Sequence, residues 1–281
     1  MTLSSPDATP RIWQRYVAVG DSFTEGMVDP DPNDPTRYRG WADRLAEHLS
    51  ERAAEHGKEF GYANLAVRGR KLDDVVGPQL QQALAMEPDL VSIIGGGNDM
   101  LRPSVHLDAL ALRIEEAVIE VRSTGADVLL CTPTDPREAG LFKALRSRHA
   151  IHAANLFTIA HNHGAHIINM WGLAATRDWR MWGEDRIHPS ELGHERITQA
   201  ALRALGLPET DPDWRVPLPP ADRASRREEL REHATWARTH AAPWVQRRLR
   251  GTSSGSELAA KRPELSPVEV LSRRGSRARG G

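Results

Sequence analysis

Five short apolar runs, each followed by a longer stretch with helical spacing, decide what this chain can fold into. The runs are RYVAVG (15–20), FGYANLAV (60–67), DLVSIIGG (89–96), ADVLLCTP (126–133) and AHIINM (165–170). Their length and apolar character predict buried strands. Between them, residues 40–56 repeat Trp41, Leu45, Leu49 and Ala53 at helical spacing. Residues 72–86, 105–125, 141–164 and 190–206 also read as helices. Pro78 starts or kinks the first of these, since proline cannot donate a helical hydrogen bond. Gly125 and Gly164 close two others, and Ser190 caps the last. Strand and helix alternating five times means an α/β fold, a parallel sheet with helices on both faces. Right-handed crossovers favour a doubly wound, three-layer α/β/α arrangement.

The pattern predicts a catalytic domain over 1–206. A Pro-rich connection and a helical extension over 207–250 should dock on it, with Trp214, Trp236 and Trp244 covering apolar surface. Residues 251–281 are biased to Gly, Ser, Pro and Arg, which predicts a disordered, dispensable basic tail. From Trp244 onward there are nine Arg or Lys against three Asp or Glu, yet the whole chain carries a formal net charge of −1. No global field therefore recruits nucleic acid. No apolar run approaches the length of a membrane helix. The start of the chain lacks the pattern of a signal peptide. Cys131 is the single cysteine, so no internal disulfide framework is possible. These features predict a cytoplasmic protein acting on a small molecule.

Ligands of an open parallel sheet bind beyond the carboxyl ends of its strands. The first strand ends at Ser22, in GDSFTEG. The second leads through NLAVRG to Gly69, the third through GGGND to Asn98, and a loop after the fifth carries DRIH with Asp185 and His188. Together these are parts of an acyl-transfer site. A serine hydroxyl needs a base to take its proton, and His188 suits that role. A carboxylate must orient the imidazole and stabilise its cation, and Asp185 stands three residues before it. The developing oxyanion needs preorganised donors. The backbone N–H of Ser22, that of Gly69 and the side-chain amide of Asn98 can supply them.

In order and separation, GDSFTEG, NLAVRG, GGGND and DRIHP resemble the four blocks of the SGNH, or GDSL-type, hydrolases over roughly residues 13–206. The resemblance implies a flavodoxin-like five-stranded sheet of order 2-1-3-4-5 and hydrolysis of O-acyl esters, esterase- or lipase-like, with neither metal nor cofactor. It implies Ser22 as nucleophile, Asp185 and His188 as orienter and base, and Ser22, Gly69 and Asn98 as oxyanion donors. Phe23 stands where the family name has Leu, which keeps the position apolar. The blocks leave open the acyl chain, the leaving group, and transfer to an alcohol in place of water.

Other features carry less. Arg37, Arg102 and Trp182 are candidate substrate contacts on loops that should rim the site. Asp21 should bond the loop backbone. GTSSG around Ser253 matches the nucleophile-elbow pattern but lacks the strand and helix which that motif requires. His161, His163 and His166 lack a further ligand nearby and favour no metal. Cys131 closes an apolar strand and reads as a buried small hydrophobe. The alternative is a phosphate- or nucleotide-binding α/β module without hydrolase activity, although neither of the usual Gly-rich phosphate motifs is present.

Overall fold

The computed structural model describes residues 11–220, 231, 235, 236, 238, 239, 255 and 258–268. The strands are β1 (Arg15–Gly20), β2 (Gly61–Asn64), β3 (Leu90–Ile94), β4 (Asp127–Cys131), β5 (His166–Ile168) and β6 (Arg262–Ser266). They form one sheet of order β5-β4-β3-β1-β2-β6. The first five are mutually parallel in the expected order. The sequence signal for each was an apolar run bounded by turn residues, and each strand lies within its run.

Alternation along the strands divides the core in two. Tyr16 and Ala18 of β1 face α2 (Trp41–Glu55) and α8 (Glu191–Ala204). Val17 and Val19 face the opposite layer, α3 (Leu72–Asp74), α4 (Leu80–Leu84), α6 (Leu107–Ser123) and α7 (Arg146–His163). The stripe Trp41, Leu45, Leu49 and Ala53 is buried on the first side. Gly164, at a left-handed φ of 62°, closes α7. Ser190 caps α8 by accepting from the Gly193 N–H. Pro78 does not break its helix: it lies in a π-helical stretch, Val75–Gln79, that joins α3 to α4. A widened turn absorbs the hydrogen bond that proline cannot make.

The composition of 251–281 predicts disorder, and part of that segment is instead a strand. β6 pairs antiparallel with β2, Tyr62 opposite Ser266 and Asn64 opposite Arg262. Without it β2 would present an open row of backbone groups. Pro263 is tolerated because an edge strand needs no outward N–H. Leu265 packs on the α3–α4–α6 side, and Val268 on the other. The Arg262 guanidinium covers the Tyr62 ring, its carbon 5.3 Å from the centroid. Trp214 is buried, as expected for a covering residue. Of the connection and helical extension expected over 207–250, residues 221–250 fall largely outside the described residues, as do Trp244 and Ser253. Among the described residues, no helix is long and apolar enough to cross a membrane.

Candidate active site

Ser22 opens α1 (Ser22–Glu25), a single turn directly beyond β1. So short a helix cannot hold itself, and its partners are external. Asp21 caps it, its Oδ1 accepting from the Phe23 N–H at 3.1 Å. The Asn64 amide donates to the Thr24 carbonyl at 3.0 Å. Gly26, at a φ of 89°, ends the turn, and a Cβ there would run into the Gly40 backbone. Upstream, Gln79 brackets Gly20, accepting from its N–H at 2.8 Å and donating to its carbonyl at 3.0 Å. The π-helical stretch that Gln79 closes thus serves the chain just before Ser22.

The Ser22 hydroxyl lies 2.8 Å from His188 Nε2. His188 Nδ1 lies 2.6 Å from Asp185 Oδ2. The other oxygen of Asp185 accepts from the backbone N–H groups of Ile187 and His188 at 2.9 and 3.0 Å. Burial works against the charged form of Asp185. The bond to the His188 ring, its charge and those two N–H groups outweigh burial and hold the carboxyl below its ordinary range. The turn between the two residues is tight: Arg186 takes a left-handed φ of 56°. The Gly183 N–H donates to the His188 carbonyl at 2.8 Å.

Gly69 has a φ of 77°, a conformation that glycine adopts freely. Among the described residues, neither the Ser22 nor the Gly69 N–H has an acceptor. Asn98, in α5 (Gly97–Met100), is more constrained than the sequence implies. Its amide donates to Asp21 Oδ2 at 3.1 Å and to the Arg70 carbonyl at 2.9 Å. Both partners are acceptors, which fixes the amide's orientation. The Asp21 side chain therefore bonds the loop backbone, as expected, and Asn98 as well.

Ser22, Gly69, Asn98, Asp185 and His188 all line one cavity of about 800 Å³. Arg102 and Trp182 line it too. The Trp182 indole donates to the Thr176 carbonyl at 2.7 Å, which sets its ring as wall. The Arg102 guanidinium has no carboxylate partner among the described residues. Arg37 does not belong here. It is exposed, off the cavity, and paired with Asp34 at 3.3 Å across the turn that folds its loop back on itself. Cys131 is buried on β4, and burial raises its thiol pKa well above the usual range.

Sequence reasoning missed the residues that join these parts. Glu25 accepts from the Arg68 backbone N–H at 2.7 Å and pairs with its guanidinium. His152, buried in the cavity wall, has an Nδ1 without a partner, and burial lowers its pKa to about 4. His149 lines the same wall one turn earlier, its Nδ1 3.2 Å from the Thr134 carbonyl. A histidine on an amphipathic helix gives no sequence signal that would separate it from an ordinary surface residue.

A doubly wound α/β sheet with this constellation at one rim defines an SGNH-type ester hydrolase. The chain belongs to the GDSL-like Lipase/Acylhydrolase family, whose profile matches residues 18–196. Its fold is similar to that of Axe2, an acetylxylan esterase from Geobacillus stearothermophilus, at 20% identity and a TM-score of 0.56. That likeness covers 71% of this chain and 97% of the other. It is similar to TesA at 23% identity and a TM-score of 0.54, over 68% and 98% of the two chains. The α/β hydrolase LAE5, from the metagenome of Lake Arreo, Spain, matches at 22% identity and a TM-score of 0.56, over 69% and 95%. At such identities the likeness concerns the fold. No curated protein matches this chain in sequence. Family membership removes the alternative of a phosphate-binding module without hydrolase activity.

Proposed function

We propose that this hydrolase cleaves carboxylic esters of small molecules through an acyl-enzyme on Ser22. His188 Nε2 takes the hydroxyl proton as Ser22 Oγ bonds to the ester carbonyl carbon. Asp185 holds the imidazole tautomer and stabilises the cation that forms. Negative charge gathers on the carbonyl oxygen, among the Ser22 and Gly69 N–H groups and the Asn98 amide, which exchanges one of its bonds to Asp21 and Arg70 for the oxyanion. Collapse breaks the bond to the alcohol, which leaves with the proton from His188. Water then repeats the sequence and frees the acid. The observation that carries this reading is the continuous line from Ser22 through His188 to Asp185, at 2.8 and 2.6 Å.

Phe23, Ile94, Met100, Phe142 and Trp182 support an apolar acyl or alcohol group in the cavity, and Arg102 supports a polar contact at its rim. The single, buried Cys131 supports work in the reducing cytoplasm. Turnover of 4-nitrophenyl acetate tests the reading, followed by a panel varying the acyl and alcohol parts. Ser22→Ala should lose roughly 10⁴–10⁶-fold in kcat while folding normally. Retention of wild-type turnover by that variant would refute the mechanism.

A further inference from the structure

The family match ends at residue 196, yet residues far beyond it grip both sides of the site. Lys261, just before β6, buries its ammonium with 12% of the side chain exposed. Its Nζ donates to the Glu25 carbonyl at 2.6 Å, to the Tyr38 carbonyl at 2.9 Å and to Asp43 Oδ2 at 2.5 Å. An ammonium has three hydrogens, and three acceptors receive them. Glu25 is the last residue of α1, where a helix leaves carbonyls unpaired and favours a cation. Its side chain holds Arg68, the neighbour of Gly69. Gly255 also presses on this loop, since a Cβ there would collide with the Arg68 carbonyl. Lys261 is thus one bond from the Ser22 turn and two from the Gly69 loop.

Trp236 does the equivalent work on the other side. Its indole N–H donates to the Asp185 carbonyl at 2.9 Å. Arg186, in its left-handed conformation between Asp185 and His188, has its guanidinium carbon 5.0 Å from the Trp179 ring centroid and 5.7 Å from that of Trp236. Phe142 meets the Trp236 ring edge-on at 6.2 Å. Thr239 lines the catalytic cavity itself.

We propose that the C-terminal segment is a working part of the active site, with Lys261 and Trp236 as positioning residues. Lys261 fixes the Ser22 turn and, through Glu25, the Gly69 loop. Trp236 fixes the Asp185–His188 turn. The inference rests on the acyl-enzyme reading above. Small displacements of reacting groups cost rate steeply, whereas substrate binding on the cavity wall does not depend on these bonds. Loosening either grip should therefore lower kcat and leave KM in place.

The test uses the full chain with Lys261→Met and Trp236→Phe. The first keeps an unbranched side chain, one atom shorter, and removes its donors. The second keeps an aromatic ring between Arg186 and Phe142 and removes the N–H together with part of the indole's area. Three quantities are measured: kcat and KM for 4-nitrophenyl acetate, the second-order rate of labelling by a fluorophosphonate, and the thermal midpoint. Lys261→Met should lose about tenfold or more in kcat, and Trp236→Phe about threefold or more, with KM within about twofold of wild type. Labelling should slow in the same proportion, since it uses the same serine, base and oxyanion donors. Wild-type kcat and labelling rate in both variants, with only the midpoint lowered, would overturn the inference and leave the segment a structural edge. If Lys261→Met fails to fold, Trp236→Phe decides by the same criterion. A wild-type chain that neither turns over the ester nor takes the label would instead overturn the acyl-enzyme reading, and the positioning roles with it.

Discussion

Glu25 and Arg68 tie the turn that carries Ser22 to the loop that carries Gly69. One carboxylate receives the Arg68 backbone N–H at 2.7 Å and its Nε at 3.0 Å, and pairs with the end of the guanidinium. The two side chains are 10% and 20% exposed. Glu25→Ala removes the carboxylate from a largely buried Arg68, which keeps its stacking on Tyr38. We expect a loss of about 3 kcal/mol in stability, the scale for breaking a mostly buried ion pair. Urea unfolding measures it, and a change of a few tenths would mean the pair is solvated.

Asn98→Ala should lower kcat about 10²–10³-fold, the scale for removing one oxyanion donor, with KM little changed. Its amide hydrogens rest on Asp21 and Arg70. Steady-state kinetics on an activated ester decide: a loss confined to KM would make Asn98 a ground-state contact.

How much of this was legible beforehand follows from where each signal lies. The five runs and their intervening helices identify the parallel sheet, because apolar periodicity is local. Ser22, Gly69, Asn98, Asp185 and His188 stand at chain positions that the strand-end rule brings to one rim. Lys261 and Glu25 gave no such signal. A lysine and a glutamate amid charged neighbours look alike whether solvated or buried, and only tertiary packing separates them. β6 was hidden for a related reason: Pro263, Pro267 and the Arg-rich flanks resemble a solvated tail, while the partner that orders them lies some two hundred residues away in β2. Arg37 erred the other way. Its loop follows the Ser22 turn in sequence but folds away from the cavity.

Acid should destabilise the fold through His194. Its Nδ1 accepts from the Trp41 N–H at 3.2 Å, so the proton sits on Nε2, 3.3 Å from the Met27 carbonyl. Burial lowers its pKa to about 3 from an ordinary 6.5. The unfolded chain binds this proton as the pH falls below 6.5, and the folded chain refuses it until about 3. The stabilisation is therefore complete above pH 6.5 and is lost as the pH falls toward 3. His194→Gln can make both bonds without titrating. Urea unfolding from pH 8 to pH 4.5 should show wild type losing stability relative to the variant below about pH 6.5, by up to about 1.4 kcal/mol per pH unit. Parallel curves over the whole range would refute this.

Hydrolysis should survive dialysis against EDTA. Two of the three histidines that invite a metal are otherwise engaged: His163 Nε2 lies 2.7 Å from Glu115, and His166 Nδ1 lies 3.0 Å from the Ala204 carbonyl. Among the described residues, no three His, Cys, Asp or Glu side chains are grouped to hold an ion. Loss of ester turnover on dialysis, restored by zinc, would contradict the expectation.

Mapping a covalent adduct tests the nucleophile most directly. Wild-type protein is treated with a fluorophosphonate and digested, and the modified peptide is sequenced by mass spectrometry. The expected result is one adduct per chain, on Ser22, absent from Ser22→Ala and strongly slowed in His188→Ala. An adduct on another serine, or undiminished labelling of Ser22→Ala, would contradict the role assigned to the serine beyond the first strand.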